Sequence, residues 1–119
     1  MIKRVLVLGA SENPSRYSNK AIIELSGHGH EVFAVGKKYG EVSGVLISTI
    51  FPTHKIDTIS IYLNPLNQIE YYKKILDSNP KRIIFNPGAE NEELFNKAKS
   101  KNIIVENACT FVLLSIGYF

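Results

Sequence analysis

Side chains that could do chemistry are concentrated in one short loop, Gly9–Ser18. Gly9 ends an apolar run and permits a tight turn, while Ser11 and Ser18 offer hydroxyl groups. The helix predicted behind this loop presents backbone N–H groups at its N-terminus, where anions bind readily. Arg16 adds a guanidinium suited to forked contacts with a phosphate. The loop therefore predicts phosphate binding, and the alternative is a plain turn in which Ser18 only caps the helix.

A second basic element, Gly36 with Lys37 and Lys38, follows the second predicted strand. A site for NAD carries an Asp or Glu at this point, which accepts hydrogen bonds from the ribose hydroxyls. Two ammonium groups instead favour a phosphorylated ribose, as in NADP or coenzyme A. The dinucleotide fingerprint G-x-G-x-x-G also fails, because Ser11 and Pro14 stand at its second and third glycines. A solvated surface turn is the alternative for two adjacent lysines.

The histidines and the acidic cluster give weaker signals. His28 and His30 flank a glycine at a predicted helix end, where a solvated cap is favoured over a metal pair. His54 stands next to Lys55 in a predicted loop, where an exposed side chain is expected. Glu92 and Glu93 suit the first turn of a helix, because the helix dipole stabilises negative charge there. We therefore predict no catalytic residues and no metal ligands.

Cys109 is the one cysteine of the chain. It cannot form an internal disulfide, which is typical of a protein from a reducing, cytoplasmic compartment. It follows the last predicted strand, on the side of the sheet where ligands bind. A buried structural thiol is one expectation for Cys109, and a thiol that meets the reactive arm of a ligand is the other.

Alternating strands and amphipathic helices must position these residues. The predicted strands are 4–8, 31–35, 45–48, 58–63, 82–85 and 103–105, and the predicted helices are 17–29, 66–78, 91–100 and 109–116. Apolar runs bounded by glycine or proline indicate strands buried on both faces of a parallel sheet. Right-handed crossovers then predict an α/β fold with a Rossmann-like, doubly wound, mostly parallel sheet. Ligands bind at the carboxyl ends of such strands, where the basic loops lie.

Length and composition fit a single domain over residues 1–119. The chain is 45% hydrophobic and 21% charged, which indicates a folded core rather than disorder. Its net charge of +3 comes from scattered basic residues, which argues against a nucleic-acid surface. No apolar run reaches the ~20 residues of a membrane span, and none resembles a secretory signal.

The order of these motifs resembles a known family. Segments 5–18 (VLVLGASENPSRYS), 35–38 (VGKK), 40–44 (GEVSG) and 86–93 (NPGAENEE) are similar to those of stand-alone CoA-binding domain proteins, small relatives of the N-terminal domain of the succinyl-CoA synthetase α subunit. The resemblance covers essentially the whole chain. It implies that phosphates contact Gly9, Ala10, Ser11, Arg16 and Ser18, that the adenosine end contacts Val35, Gly36, Lys37 and Lys38, and that the rest of the ligand contacts Leu63, Asn86, Pro87, Gly88 and Glu90.

These features together predict a binding module for coenzyme A or an acyl-CoA. The reaction of the synthetase needs a second domain with a phosphorylated histidine and a partner subunit, and this sequence contains neither. An NADP-binding oxidoreductase-like domain and an interaction protein with a vestigial cleft are the alternatives. We expect a small-molecule ligand, with neither nucleic acid nor a membrane as partner. The apolar C-terminal stretch Phe111–Phe119 is a candidate homodimer face.

Overall fold

Seven strands form one sheet in the computed structural model, which describes residues 1–119. They are β1 (Arg4–Leu8), β2 (Glu31–Val35), β3 (Gly40–Val42), β4 (Val45–Ser48), β5 (Thr58–Ile61), β6 (Arg82–Phe85) and β7 (Ile104–Asn107). Their order in the sheet is β3-β4-β2-β1-β5-β6-β7, and only the β3–β4 pair is antiparallel. The strand order reverses beside β1, which is the point where a ligand crevice opens in such sheets.

Helices cover both faces of this sheet. They are α1 (Tyr17–Gly27), α2 (Pro65–Gln68), α3 (Tyr72–Ser78), α4 (Glu92–Ser100) and α5 (Thr110–Ser115), with a 3₁₀ turn (Ile69–Tyr71) between α2 and α3. Leu6 and Leu8 pack in one core with α3 and α4, while Val5 and Val7 pack in a second core with α1 and α5. Burial of β1 on both faces explains its unbroken apolar run. The prediction of a Rossmann-like α/β fold is confirmed, and none of the helices has the length and apolar character that a membrane crossing requires.

Several predicted boundaries were wrong by one or two residues. The strand predicted to end at residue 63 ends at Ile61, because the chain turns there toward Asn64, whose Oδ1 accepts a hydrogen bond from Asn67 N–H and caps α2. The last strand begins at Ile104 rather than at residue 103 and continues to Asn107, because it pairs with the whole length of β6. The fold is unaffected by these shifts.

The strand β3 was not predicted. Gly40, Glu41 and Val42 are too few and too polar to form an alternating pattern, yet they pair with β4 as a hairpin. Ser43 and Gly44 form its turn, with φ angles of 50° and 85°. Positive φ at both positions is the hallmark of the two-residue turns that match strand twist.

The helix predicted over 66–78 is interrupted, and one residue of its predicted inner face was wrong. Of Ile69, Tyr72 and Leu76, the last two pack partly buried against the core, but Ile69 is exposed. The fully buried residues of this segment are Gln68 and Ile75. Apolar periodicity assumes that a polar residue faces water. Gln68 is a polar residue that is buried instead, because its amide donates hydrogen bonds to carbonyl groups inside the protein.

Part of the C-terminal stretch packs on the chain itself. The ring of Phe119 lies 5.3 Å from the ring of His30 and 4.6 Å from the guanidinium carbon of Arg82. Lys3 and Arg82 also donate hydrogen bonds to the backbone oxygen of Phe119. Apolar residues of the stretch that stay exposed are Val112, Ile116 and Tyr118. A homodimer face on Phe111–Phe119 remains a prediction, restricted to this exposed part.

His30 should make stability depend on pH. Its Nδ1 accepts a hydrogen bond from the backbone N–H of Lys3, and burial followed by the charge of Lys3 lowers its pKa below the ordinary 6.5. The unfolded chain therefore binds this proton more readily, so stability present above about pH 6.5 is lost as pH falls below it. We expect the unfolding free energy, measured with urea, to fall less from about pH 7.5 to about pH 5.5 in His30→Gln, since glutamine accepts the same bond without titrating. Equal losses in both proteins would contradict this assignment.

Candidate functional site

A cleft of about 1210 Å³ lies at the carboxyl ends of the central strands. Its walls are the loops that follow β1, β2, β5 and β6, together with the start of α5. Pockets for small molecules usually enclose roughly 300–1,000 Å³. This cleft is therefore large enough for an extended ligand, at the position that the sheet topology predicts.

Most of the residues predicted to form the site line this cleft: Gly9, Ala10, Ser11, Arg16, Ser18, Gly36, Lys37, Lys38, Leu63, Asn86, Pro87 and Cys109. Val35, Gly88 and Glu90 do not line it. The carbonyl of Val35 accepts hydrogen bonds from Gly9 N–H and Ala10 N–H at 2.9 Å, so Val35 supports the first loop from behind. The Glu90 carboxylate accepts a bond from Gly88 N–H at 2.8 Å and closes the loop after β6.

The first loop is fixed by its own hydrogen bonds. Gly9 has a φ of 98°, a conformation that favours glycine. The Asn19 amide donates to the carbonyl of Ser11 at 3.0 Å, and the Ser11 hydroxyl accepts from Asn13 N–H at 3.1 Å. These bonds hold the loop against the start of α1 without any ligand.

The N-terminus of α1 opens toward this loop without a side-chain cap. Arg16 is the residue at the cap position, and Ser18 lies buried inside the first turn, so the alternative that Ser18 caps the helix was wrong. The Arg16 side chain is exposed and forms no ion pair. Its guanidinium and the helix N-terminus are both available to an anion in the cleft.

Positive charge predominates among the ionised side chains of the cleft. Lys37 and Lys38 are exposed and, like Arg16, form no ion pair. Glu12 and Glu70 are the carboxylates that line the cleft. Glu12 is already engaged, because its Oε2 accepts a hydrogen bond at 2.9 Å from the backbone N–H at the start of β3. Neither carboxylate forms an ion pair with Arg16, Lys37 or Lys38, so all three cations are available to a phosphorylated ligand.

The cleft floor is a buried polar network centred on Asn86. The Asn86 amide group donates to Ser60 Oγ and to the carbonyl of Ile61, both at 2.9 Å, and its Oδ1 accepts from Thr110 N–H at 2.9 Å. The hydroxyls of Ser60 and Thr110 lie 2.8 Å apart. Asn86 lines the cleft, but both N–H donors of its side chain already bond to protein atoms, so Asn86 shapes the floor of the cleft.

Tyr62 and Cys109 lie close together above this floor. The Tyr62 hydroxyl is buried near Ser60 and Thr110 without a hydrogen bond of normal geometry, and burial raises its pKa to about 12. This phenol therefore stays protonated at neutral pH. Cys109 is half-buried and lines the cleft at the start of α5.

A further group of lining residues was not predicted from the sequence: Tyr39, Ile47, Thr49, Tyr62, Asn67, Glu70, Tyr71 and Phe111. Several are aromatic, and an aromatic residue in the sequence looks the same whether it enters a core or a cleft. Glu70 and Tyr71 belong to the 3₁₀ turn that interrupts the predicted helix. In an uninterrupted helix the side chains of Glu70 and Tyr71 would point in other directions. No signal in the sequence therefore identified them as cleft residues.

A family model described as a CoA binding domain matches residues 3–115. The chain belongs to this family. Solved structures similar to this CoA-binding domain include one described as an uncharacterized protein, with 45% identity, a TM-score of 0.91, and coverage of 100% of this chain and 99% of the other. A hypothetical protein from Pyrococcus horikoshii OT3 has 30% identity and a TM-score of 0.82, with 92% and 80% covered. A conserved hypothetical protein from Pyrococcus furiosus has 25% identity and a TM-score of 0.74, with 87% and 91% covered. No curated protein matches this CoA-binding domain.

Proposed function

We propose that this chain binds coenzyme A or an acyl-CoA in the cleft and acts as a binding module without catalytic residues of its own. The observation that carries the proposal is the grouping of Arg16, Lys37 and Lys38, three unpaired cations, around one large cleft. Coenzyme A bears a pyrophosphate and a separate 3′-phosphate, so cations at two separate points suit it. Membership of the CoA-binding domain family supports the same ligand.

The order of strands suggests how the ligand lies. In our proposal the pyrophosphate contacts the loop Gly9–Ser18, and the 3′-phosphate lies near Lys37 and Lys38. Because β2 and β5 flank β1 on opposite sides, the pantetheine arm extends away from the lysines, across β5 and β6. It would pass Leu63 and Pro87 and approach Cys109.

Two other ligand outcomes follow from the same site. NADP also combines a pyrophosphate with a ribose phosphate, so the cations alone suit it as well. A vestigial cleft would bind neither coenzyme A nor NADP.

We further propose a cytoplasmic protein whose partner is a small molecule rather than nucleic acid, in keeping with its one cysteine and scattered basic residues. A homodimer through the exposed part of Phe111–Phe119 remains a proposal.

Coenzyme A is expected to raise the melting temperature. A ligand at a hundred times its dissociation constant stabilises the folded state by ~2.7 kcal/mol, which corresponds to a shift of about 10 °C for a domain of this size. NAD should produce no comparable shift, because no acidic residue follows β2 to receive its ribose. Thermal melts with each compound at matched concentrations measure this preference. A larger shift with NAD or NADP would overturn the central claim, and no shift with any of them would favour the vestigial cleft.

The lysines and the arginine should act on different parts of the ligand. Lys37→Ala and Lys38→Ala should reduce the preference for coenzyme A over dephospho-CoA, which lacks the 3′-phosphate. Arg16→Ala should weaken both ligands by roughly 1.5–3 kcal/mol, the scale of a charged hydrogen bond. Isothermal titration calorimetry gives all of these affinities. Lys99→Ala, which removes an exposed charge on α4 away from the cleft, is the matched control. If the lysine changes weakened both ligands equally, those lysines would not contact the 3′-phosphate.

A further inference from the structure

Gln68 connects two walls of the cleft from inside the protein. It is fully buried at the end of α2, and its Nε2 donates hydrogen bonds to the carbonyls of Leu63 and Ala89, each at 2.8 Å. Leu63 belongs to the loop after β5, and Ala89 belongs to the loop after β6. One side-chain amide therefore spans the two loops that form this side of the cleft.

Asn91 locks that amide in place. Its Nδ2 donates to Gln68 Oε1 at 2.9 Å and to the Tyr72 hydroxyl at 2.8 Å, while its Oδ1 accepts from Leu94 N–H at 3.1 Å and so caps α4. The side-chain amides of Gln68 and Asn91 thus each donate two hydrogen bonds, which uses all of their N–H groups. A buried polar unit with its donors satisfied is rigid and specifies one arrangement.

The loops that Gln68 joins reach the rest of the cleft. A methyl group on Gly9 would lie 3.1 Å from the Leu63 side chain, so Leu63 is seated directly against the turn of the first loop. On the other side, Pro87 lines the cleft two residues before Ala89. A change in the position of Leu63 or Ala89 would therefore change the width of the cleft, whereas Lys37 follows β2, on the far side of β1.

We propose that Gln68 is a positioning residue that sets the width of the cleft on its β5–β6 side and so controls binding of the arm of the ligand that lies there. The assignment of that arm as pantetheine rests on the proposed function. Gln68 does not line the cleft and makes no contact with the ligand itself. It acts through the backbone positions of Leu63 and Ala89.

The test compares two ligands that share the phosphate end. Adenosine 3′,5′-bisphosphate has the adenosine end of coenzyme A but no pantetheine. In Gln68→Leu, which removes both donors, we expect the affinity for coenzyme A to fall about tenfold or more while the affinity for the bisphosphate stays within about twofold. Gln68→Met, which keeps the length of the side chain but has no N–H, should act in the same way and replaces the leucine variant if that variant does not fold.

The control is Ile75→Val, a change in the core under α3 that lowers stability without touching the two loops. It should leave the ratio of the two affinities unchanged. An unchanged ratio in the folded Gln68 variant, or an equal change in Ile75→Val, would overturn the proposal.

A ligand-free measurement separates this proposal from the proposed function. The backbone N–H of Ala89 donates to the carbonyl of Asn86 at 2.8 Å, so its hydrogen exchange reports on the loop. We expect faster exchange of Ala89 N–H in Gln68→Leu than in Ile75→Val. Equal exchange would overturn the positioning role, whereas failure of the wild type to bind coenzyme A would overturn only the proposed function.

Discussion

Replacing Asn86 with alanine is expected to destabilise the folded protein by about 2–5 kcal/mol. The amide is 1% exposed and makes three hydrogen bonds, to Ser60 Oγ, the Ile61 carbonyl and Thr110 N–H. Its removal leaves Thr110 N–H buried without a partner, at a cost of about 1–3 kcal/mol, and also takes one hydrogen bond each from Ser60 Oγ and the Ile61 carbonyl, which keep the Thr110 hydroxyl and the Asn86 N–H as partners. The loss should appear as a lower midpoint in urea unfolding with little change in the slope.

Asn107→Ala is the matched control for this change. Asn107 occupies the corresponding end of the neighbouring strand, opposite Phe85, but it is exposed. The same truncation there should alter the unfolding free energy by no more than about 0.5 kcal/mol. A loss in Asn86→Ala as small as that in Asn107→Ala would mean that the polar floor of the cleft contributes little to stability.

A methyl group at Gly36 is expected to disrupt both the fold and the site. A Cβ atom at this position would lie 2.3 Å from the backbone oxygen of Ala10 and 3.2 Å from a methyl carbon of Ile47. Because the nearest atom is backbone, the clash cannot be relieved by rotating a side chain. We expect Gly36→Ala to cost about 3 kcal/mol of stability, at the upper end for overpacking. Displacement of the first loop should also lower the affinity for coenzyme A about tenfold or more.

Gly27→Ala tests whether the effect comes from the clash rather than from adding a methyl group to a glycine. A Cβ atom at Gly27, in the last turn of α1, meets no heavy atom within 4 Å. That variant should unfold at an equal or slightly higher denaturant concentration, since alanine favours a helix over glycine by about 1 kcal/mol. If Gly36→Ala retained wild-type stability and ligand affinity, the close approach of β2 to the first loop would not constrain the site.

The predictions that succeeded rest on local signals. The apolar run Val5–Leu8 is buried on both faces of the sheet, and α4 begins and ends close to where its acidic and basic residues predict. Most of the residues predicted to contact a ligand lie along the cleft, because the carboxyl ends of parallel strands meet at one edge of a sheet, and their contact with a ligand remains a prediction. These features depend on residue type and order, which the sequence contains directly.

The predictions that failed depend on contacts between distant segments. Gln68 is not part of the apolar pattern that predicts this helix, yet it is fully buried because the carbonyls of Leu63 and Ala89, which lie far apart in sequence, accept its hydrogen bonds. The contact of Asn86 with a ligand remains a prediction, but its hydrogen bond with Thr110, 24 residues away on α5, had no signal in the sequence. Whether a polar side chain faces a ligand, water or the interior is set by the partners that folding brings to it.

By itself the sequence determined the α/β fold, the edge of the sheet that carries the candidate site and the basic character of that edge. Each of these follows from hydrophobic pattern, glycine placement and charge within short segments. Only the tertiary structure decided that Val35 supports the first loop, that the aromatic residues Tyr62 and Phe111 line the cleft, and that Gln68 joins two of its walls. The physical reason is that hydrogen-bond satisfaction and steric fit are properties of pairs of residues, and the chain brings those pairs together only when it folds.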